Sequence, residues 1–336
     1  MRITSSFIRE VIALPPQTSP EFPTRARSVM RTYLGAGTAS VEDCITFAAD
    51  GKASLGARFA ALYIAMAWLW RRKDYSEYEA NVRRFATEFG REPYFDVFRA
   101  QAQQAGGDDL EHWTASLTYA KKAAAALPDT PGVLHMRAEI VAAICELGGI
   151  EDLGPRELID AIEAANQAVS LCQAPYAKYH ATLARLLIAR GRFDEARKQI
   201  HLAVDREEPD SPQASARLAS YEILRYRVTA SQEAKVSETR RLAALKDLER
   251  FQSQSITLIG LLAAVIAFIV SATSITTRAD PAFMAGALVL QGGIIMLVFA
   301  GFSFSFGLAK SWRFVMVALF GVSLSTVGYL QLVGII

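Results

Sequence analysis

Four histidines and three cysteines are the side chains of this 336-residue chain best suited to metal binding or nucleophilic attack, and their spacing serves neither. His112, His135, His180 and His201 are scattered, without the short intervals that bring ligands around one zinc ion. Cys44, Cys145 and Cys172 each fall within an apolar helical pattern. An odd number of widely spaced thiols is not a disulfide framework; it fits a reducing compartment and small buried side chains. The motifs HExxH, CxxC, GxxxxGKS/T and GxSxG do not occur. Gly35 to Gly37 read GAG, but between predicted helices and not after a strand, which is the wrong setting for a dinucleotide fingerprint. The acidic pairs Glu42–Asp43 and Asp108–Asp109 stand at turns or helix starts, where carboxylates complement exposed amides and the helix dipole. The expectation is a protein with no catalytic residues, no metal and no cofactor. A net charge of +2 gives no global field that would call for nucleic acid.

The elements that carry these residues divide sharply. Three uncharged apolar runs close the chain, at 256–277, 281–308 and 314–336. Each is long enough to cross a hydrocarbon core of ~30 Å as a helix rising ~1.5 Å per residue. Arg278 and Asp280 separate the first two runs; Lys310 and Arg313 separate the last two. No Asp, Glu, Lys, Arg or His lies within the runs, so the groups that usually line an ion or proton path are missing. Gln291 and Gln331 are among the polar residues available. Gly301 with Ser305, Ser303 with Gly307, and Gly321 with Ser325 form small-xxx-small pairs that allow close helix contact. That contact serves either packing within one bundle or assembly into a homo-oligomer.

Charge sets the expected orientation. Lys235, Arg240, Arg241, Lys246 and Arg250 precede the first run, Arg278 alone follows it, and Lys310 and Arg313 follow the second. Positive charge concentrates on the cytoplasmic side, so the N-terminal part and the second loop are expected there, with the first loop and the C-terminus outside. Trp312 and Tyr329 lie toward opposite ends of the third run, either as interfacial anchors or as packing residues. The N-terminus lacks a continuous apolar stretch, being cut by Arg9 and Glu10, and is not read as a secretory signal.

Ahead of residue 256 the periodicity is helical, and an all-α fold is expected. Tyr75, Tyr78, Val82, Phe85 and Phe89 recur three or four apart, with Asp74 as an N-cap and Gly90 as the stop. Phe59 to Trp70 is a run of twelve uncharged apolar residues, too short to span a bilayer and suited to burial between neighbours. Residues 177–210 carry Leu183 and Ala184, then Gly191, then Phe193, Ala196, Ile200 and Ala203, and close at Pro209. This pattern resembles a tetratricopeptide repeat: small residues where two antiparallel helices approach, and glycine at the reversal. His180 departs from it by replacing a bulky aromatic. A weaker copy covers 59–92, where Tyr78 stands at a position the family reserves for alanine. Further pairs are expected at 94–128 and 131–175, broken at Gly106–Gly107 and Gly148–Gly149, with a shorter one over 25–50. An unrelated α-solenoid would give much of the same pattern. The resulting organisation is an N-terminal segment (1–24), a helical-repeat domain (25–210), a long connecting helix (211–255) and a transmembrane domain (256–336).

The resemblance implies a concave groove that receives a protein or peptide partner. Lys178, Ala181, Arg185 and Ile188 would face it from the best unit, and Tyr63 and Trp70 from the weaker one. Cations beside aromatics would suit an acidic, apolar segment; the competing use of Lys178 and Arg185 is to solvate a helix face. From Ala214 to Gln254 no Gly or Pro occurs, so one long helix is expected, continuous with the first run. Its apolar residues Val236, Leu242, Leu245, Leu248 and Phe251 either form a short self-associating coil or dock onto the last repeat. The function expected is a multi-pass, membrane-anchored scaffold that binds a cytoplasmic protein. The alternative is a membrane-perturbing effector, loosely similar around Gly260 to Thr273 to the hydrophobic modules of bacterial antiviral defence proteins. The topology has a direct check. In a chain stripped of native cysteines, Ala279→Cys should react with a membrane-impermeant maleimide on intact cells, and Ser311→Cys only after permeabilisation.

Overall fold

The computed structural model describes residues 5–172, 176–209, 213–276, 281–305 and 312–333. Among the described residues every regular element is an α-helix. The chain divides into two compact units, Met1–Ala234 and Lys235–Ile336.

The first unit holds α1 (Ser5–Ile12), α2 (Phe22–Tyr33), α3 (Val41–Ala48), α4 (Leu55–Arg72), α5 (Tyr75–Phe89), α6 (Phe95–Gly106), α7 (Leu110–Ala126), α8 (Pro131–Glu146), α9 (Glu157–Leu171), α10 (Ala177–Arg190) and α11 (Phe193–Asp205). The opening turns of α12 (Ala214–Thr276) complete it. Local chemistry sets several ends. Ser40 and Asp43 form a reciprocal capping box on α3, and Ser54 and Asp109 cap α4 and α7. Gly191, at φ +76°, ends α10 in the left-handed region that glycine enters without penalty. Asp74 precedes α5 as expected, yet its side chain makes no capping bond.

Consecutive helices pair: α3 lies against α4, α6 against α7, α8 against α9, and α10 against α11. Helix α10 also packs on both α8 and α9, so the last two pairs stack. Two kinds of core fill the unit. Around α4 to α6, Phe59, Tyr63, Tyr78, Phe89, Tyr94, Phe95 and Phe98 are buried and meet largely edge to face. Truncating one such ring to alanine costs ~3–5 kcal/mol. Around α10 and α11, Ala184, Ala196 and Ala203 are fully buried, and side chains without bulk let the helix axes approach. Tyr78 links α5 to both of its neighbours. Its ring is completely buried against Trp70 and Phe98, and its hydroxyl donates to Gln101 at 2.7 Å. A tyrosine there reaches into α6, whereas alanine would only admit α4.

One expectation is corrected here. The first residues are not a separate segment: α1 buries Phe7 and Val11 in the same core and packs on α2 and α4, and α2 begins at Phe22. The connecting helix docks, but through Tyr221, Leu224 and Val228, all buried in the core of the first unit. The stripe Val236, Leu242, Leu245, Leu248 and Phe251, expected either to self-associate or to dock, is exposed along its length.

The second unit holds the rest of α12 with α13 (Pro281–Ser305) and α14 (Trp312–Leu332). All three helices are long and apolar enough to cross a membrane. Leu258, Ile259, Leu262, Ile266 and Ile269 of α12 are exposed, an arrangement costing ~25 cal/mol per Å² in water and nothing in hydrocarbon. Helices α13 and α14 pack tightly through glycines. A Cβ added to Gly328 would stand 2.7 Å from Leu290 Cα and 2.8 Å from Gly286 O. One added to Gly293 would meet Gly321 O at 2.7 Å and the Ser325 amide. Because these neighbours are backbone atoms, they cannot rotate aside. Gly328→Leu is therefore expected to part the hairpin at a cost of about 1–3 kcal/mol or more, read as a lowered midpoint of thermal unfolding in detergent. Gly56→Ala, where an added Cβ meets nothing, should leave that midpoint unchanged.

Candidate partner-binding cavity

The C-terminal ends of α8 and α10 and the docked part of α12 border a cavity of about 400 Å³ that is open to solvent on one side. Cys145 and Glu146 line it from α8, Arg185, Ile188 and Ala189 from α10, and Arg227 and Ser231 from α12. Glu146 organises the polar side. Arg185 donates from Nε to Glu146 Oε1 at 2.9 Å and from Nη2 to Oε2 at 2.6 Å, and Arg227 donates from Nη1 to the same Oε1. A carboxylate on the last residue of α8 opposes the helix dipole, so it needs this compensation. Burial pushes the Glu146 carboxyl upward, but the two guanidiniums outweigh burial and hold it below the ordinary glutamate range. Cys145 goes the other way: burial, then the neighbouring Glu146 charge, push its thiol up to about 11, so it faces the cavity as a neutral, weakly polar group.

Toward the start of α10 the pairing continues through His135. This buried ring contacts Thr182 Oγ1 through Nε2 at 2.9 Å and stacks on Tyr179 with centroids 4.4 Å apart. Burial, opposed by Glu139, lowers its pKa to about 4. The imidazole is thus a neutral packing group and not a proton carrier at neutral pH.

Of the residues expected in a groove, the structure gathers Arg185 and Ile188 into the cavity wall. Lys178 is exposed at the other end of α10, its Nζ 5.8 Å from the Tyr179 ring centre. Ala181 is buried. Tyr63 is a correction: at 8 % exposure it belongs to the aromatic core with Phe22, Tyr94 and Phe98, because the face of α4 that carries it turns inward. Trp70 is half-buried against Tyr75 and Tyr78, away from the cavity. Cys145, Glu146, Arg227 and Ser231 were not anticipated. Glu146 carried one readable signal, an acid at the dipole-opposed end of a helix. Nothing local marks Arg227.

In the membrane unit, Gly321 and Ser325 face Gly293 across the α13–α14 contact. Gln291 Oε1 and Ser325 Oγ are buried there without a hydrogen-bond partner. Gly301 and Ser305 fall within α13, but their contacts lie outside the described residues, as do the side chain of Trp312 and the loops holding Arg278 and Lys310. Tyr329 is exposed on α14. Among the described residues no group of three His, Cys, Asp or Glu could hold a metal ion.

Comparison with family models, with curated proteins and with solved structures finds no match to this chain.

The titrating groups give a pH signature. His135 binds its proton more weakly when folded than unfolded, so stability is complete above the ordinary histidine range and falls as pH drops from about 6.5 toward 4. His180, also lowered by burial, adds to the same window. Glu146, lowered by its arginines, contributes only above the ordinary glutamate range and loses that contribution as pH falls through its depressed value. Denaturation midpoints should therefore drop between pH 6.5 and 5, and His135→Gln, which keeps a hydrogen bond to Thr182 in reach, should flatten that drop.

Proposed function

We propose that this protein is a membrane-anchored scaffold whose helical unit, tetratricopeptide-like in its stacking of α8–α9 on α10–α11, binds a protein partner from the cytoplasm. The observation that carries the reading is the cavity wall, where Arg185 and Arg227 stand beside Ile188 and Ala189 on two different helices. Cationic and apolar groups side by side suit an acidic segment with an apolar neighbour. The three apolar helices hold the binding surface at the bilayer, with the N-terminal unit inside the cell and the C-terminus outside. No enzymatic activity is assigned.

A second reading, the membrane-perturbing effector, draws on one feature. Helix α12 runs without a break from Arg227 into its apolar span, so the two lie on one helix. Loss of membrane potential on induction, abolished by deleting residues 256–336, would favour it over the scaffold.

The scaffold is tested in native membranes with a photo-crosslinking residue at Ile188 of the full chain and a control at Glu195, on α11 outside the cavity. The expected result is an adduct specific to Ile188 that falls at least fivefold when Arg185→Glu is added. Equal adducts at both positions, or an adduct indifferent to Arg185, would remove the proposal.

A further inference from the structure

We infer that the cavity between α8, α10 and α12 is also a small-molecule site, taking an organic carboxylate with a compact apolar body. This goes beyond the scaffold reading and does not rest on it. Its volume, about 400 Å³, falls within the roughly 300–1,000 Å³ of small-ligand pockets.

The donor count points to the ligand's charge. Two guanidiniums face one carboxylate, so the lining carries an excess of one positive charge. Glu146 accepts from Arg185 Nε and Nη2 and from Arg227 Nη1. Arg185 Nη1 and Arg227 Nε and Nη2 then have no protein acceptor among the described residues. Arg185 is largely withdrawn from solvent, its side chain 20 % exposed, so its remaining donors are poorly hydrated and an incoming acceptor replaces little water. A planar carboxylate matches the guanidinium fork, and the Ser231 hydroxyl adds a further donor on the same wall. Glu146 does not compete for this ligand; it fixes both arginines before the ligand arrives, which lowers the ordering cost of binding.

The opposite wall points to the ligand's body. Ile188, Ala189 and the un-ionised Cys145 give an apolar surface next to the arginines. A bare inorganic anion would leave that wall uncovered, and an uncharged apolar molecule would leave the excess charge unpaired.

The cavity contains its own reporter. Cys145 lies in the wall, so an occupant shields its thiol, whereas Cys44 is fully buried elsewhere in the core and reports only unfolding. The test uses the full chain in detergent micelles, with iodoacetamide alkylation of the two cysteines followed by mass spectrometry. Benzoate is the probe; benzyl alcohol, inorganic phosphate and sodium chloride at matched ionic strength are the controls. Benzoate should slow alkylation of Cys145 at least fivefold, saturably and at millimolar concentration or below, without changing that of Cys44. Arg227→Gln should raise the half-protecting concentration at least tenfold, and Ala189→Trp, which fills the apolar side, should abolish protection; Cys44 confirms the fold of each variant. Absence of saturable protection, equal protection by benzyl alcohol or phosphate, or unchanged protection in both folded variants would overturn the inference.

Discussion

Burial of the first turns of α12 brings together side chains of the first unit that lie far apart in the sequence. Tyr221, Leu224 and Val228 enter the same core as the preceding helices, and this burial supplies the free energy of attachment. Polar staples then fix the position. Glu207 receives Arg217 at 2.7 Å and the Tyr221 hydroxyl at 2.8 Å, and Glu146 receives Arg227. Partly buried ion pairs add little net stability, since desolvation offsets much of the attraction, but they discriminate between registers of one helix on another. Without this docking Arg227 would have no carboxylate to meet, and Arg185 would stand on an open helix face.

The same device recurs among the earlier helices. Glu157, at the start of α9, gathers Arg137 from α8 at 2.7 Å and Lys121 from α7. In each case one carboxylate accepts donors from two other places in the chain. Such a hub leaves no buried charge unpaired, and losing either donor is more costly than the pair itself is favourable.

The two units solve packing under opposite solvents. In the first, water drives aromatic and aliphatic surfaces together, and cores as different as the rings around Phe59 and the alanines around Ala184 both serve. In the second, lipid is as apolar as the side chains, so burial offers no comparable drive and close backbone approach must supply the attraction. Gly286, Gly293, Gly321 and Gly328 permit that approach. The membrane span of α12 has no such neighbour among the described residues and presents its apolar side chains outward.

Much of this architecture was legible in the chain itself. The apolar runs, the helix pairs, the acidic helix starts at Asp43 and Asp109 and the reversal at Gly191 depend on neighbours within a few positions, and periodicity or turn chemistry reports them directly. Periodicity also says which residues share a helix face, as Lys178, Ala181, Arg185 and Ile188 do. It does not say what that face meets. Tyr63 turned into an aromatic core and Ile188 into a cavity because of how α4 and α10 are rotated against their partners. The link between Glu146 and Arg227 spans 81 positions, and the burial of α1 depends on α2 and α4. Those outcomes were decided only in the tertiary structure, where the rotation and register of whole helices minimise exposed apolar surface and unpaired charge together.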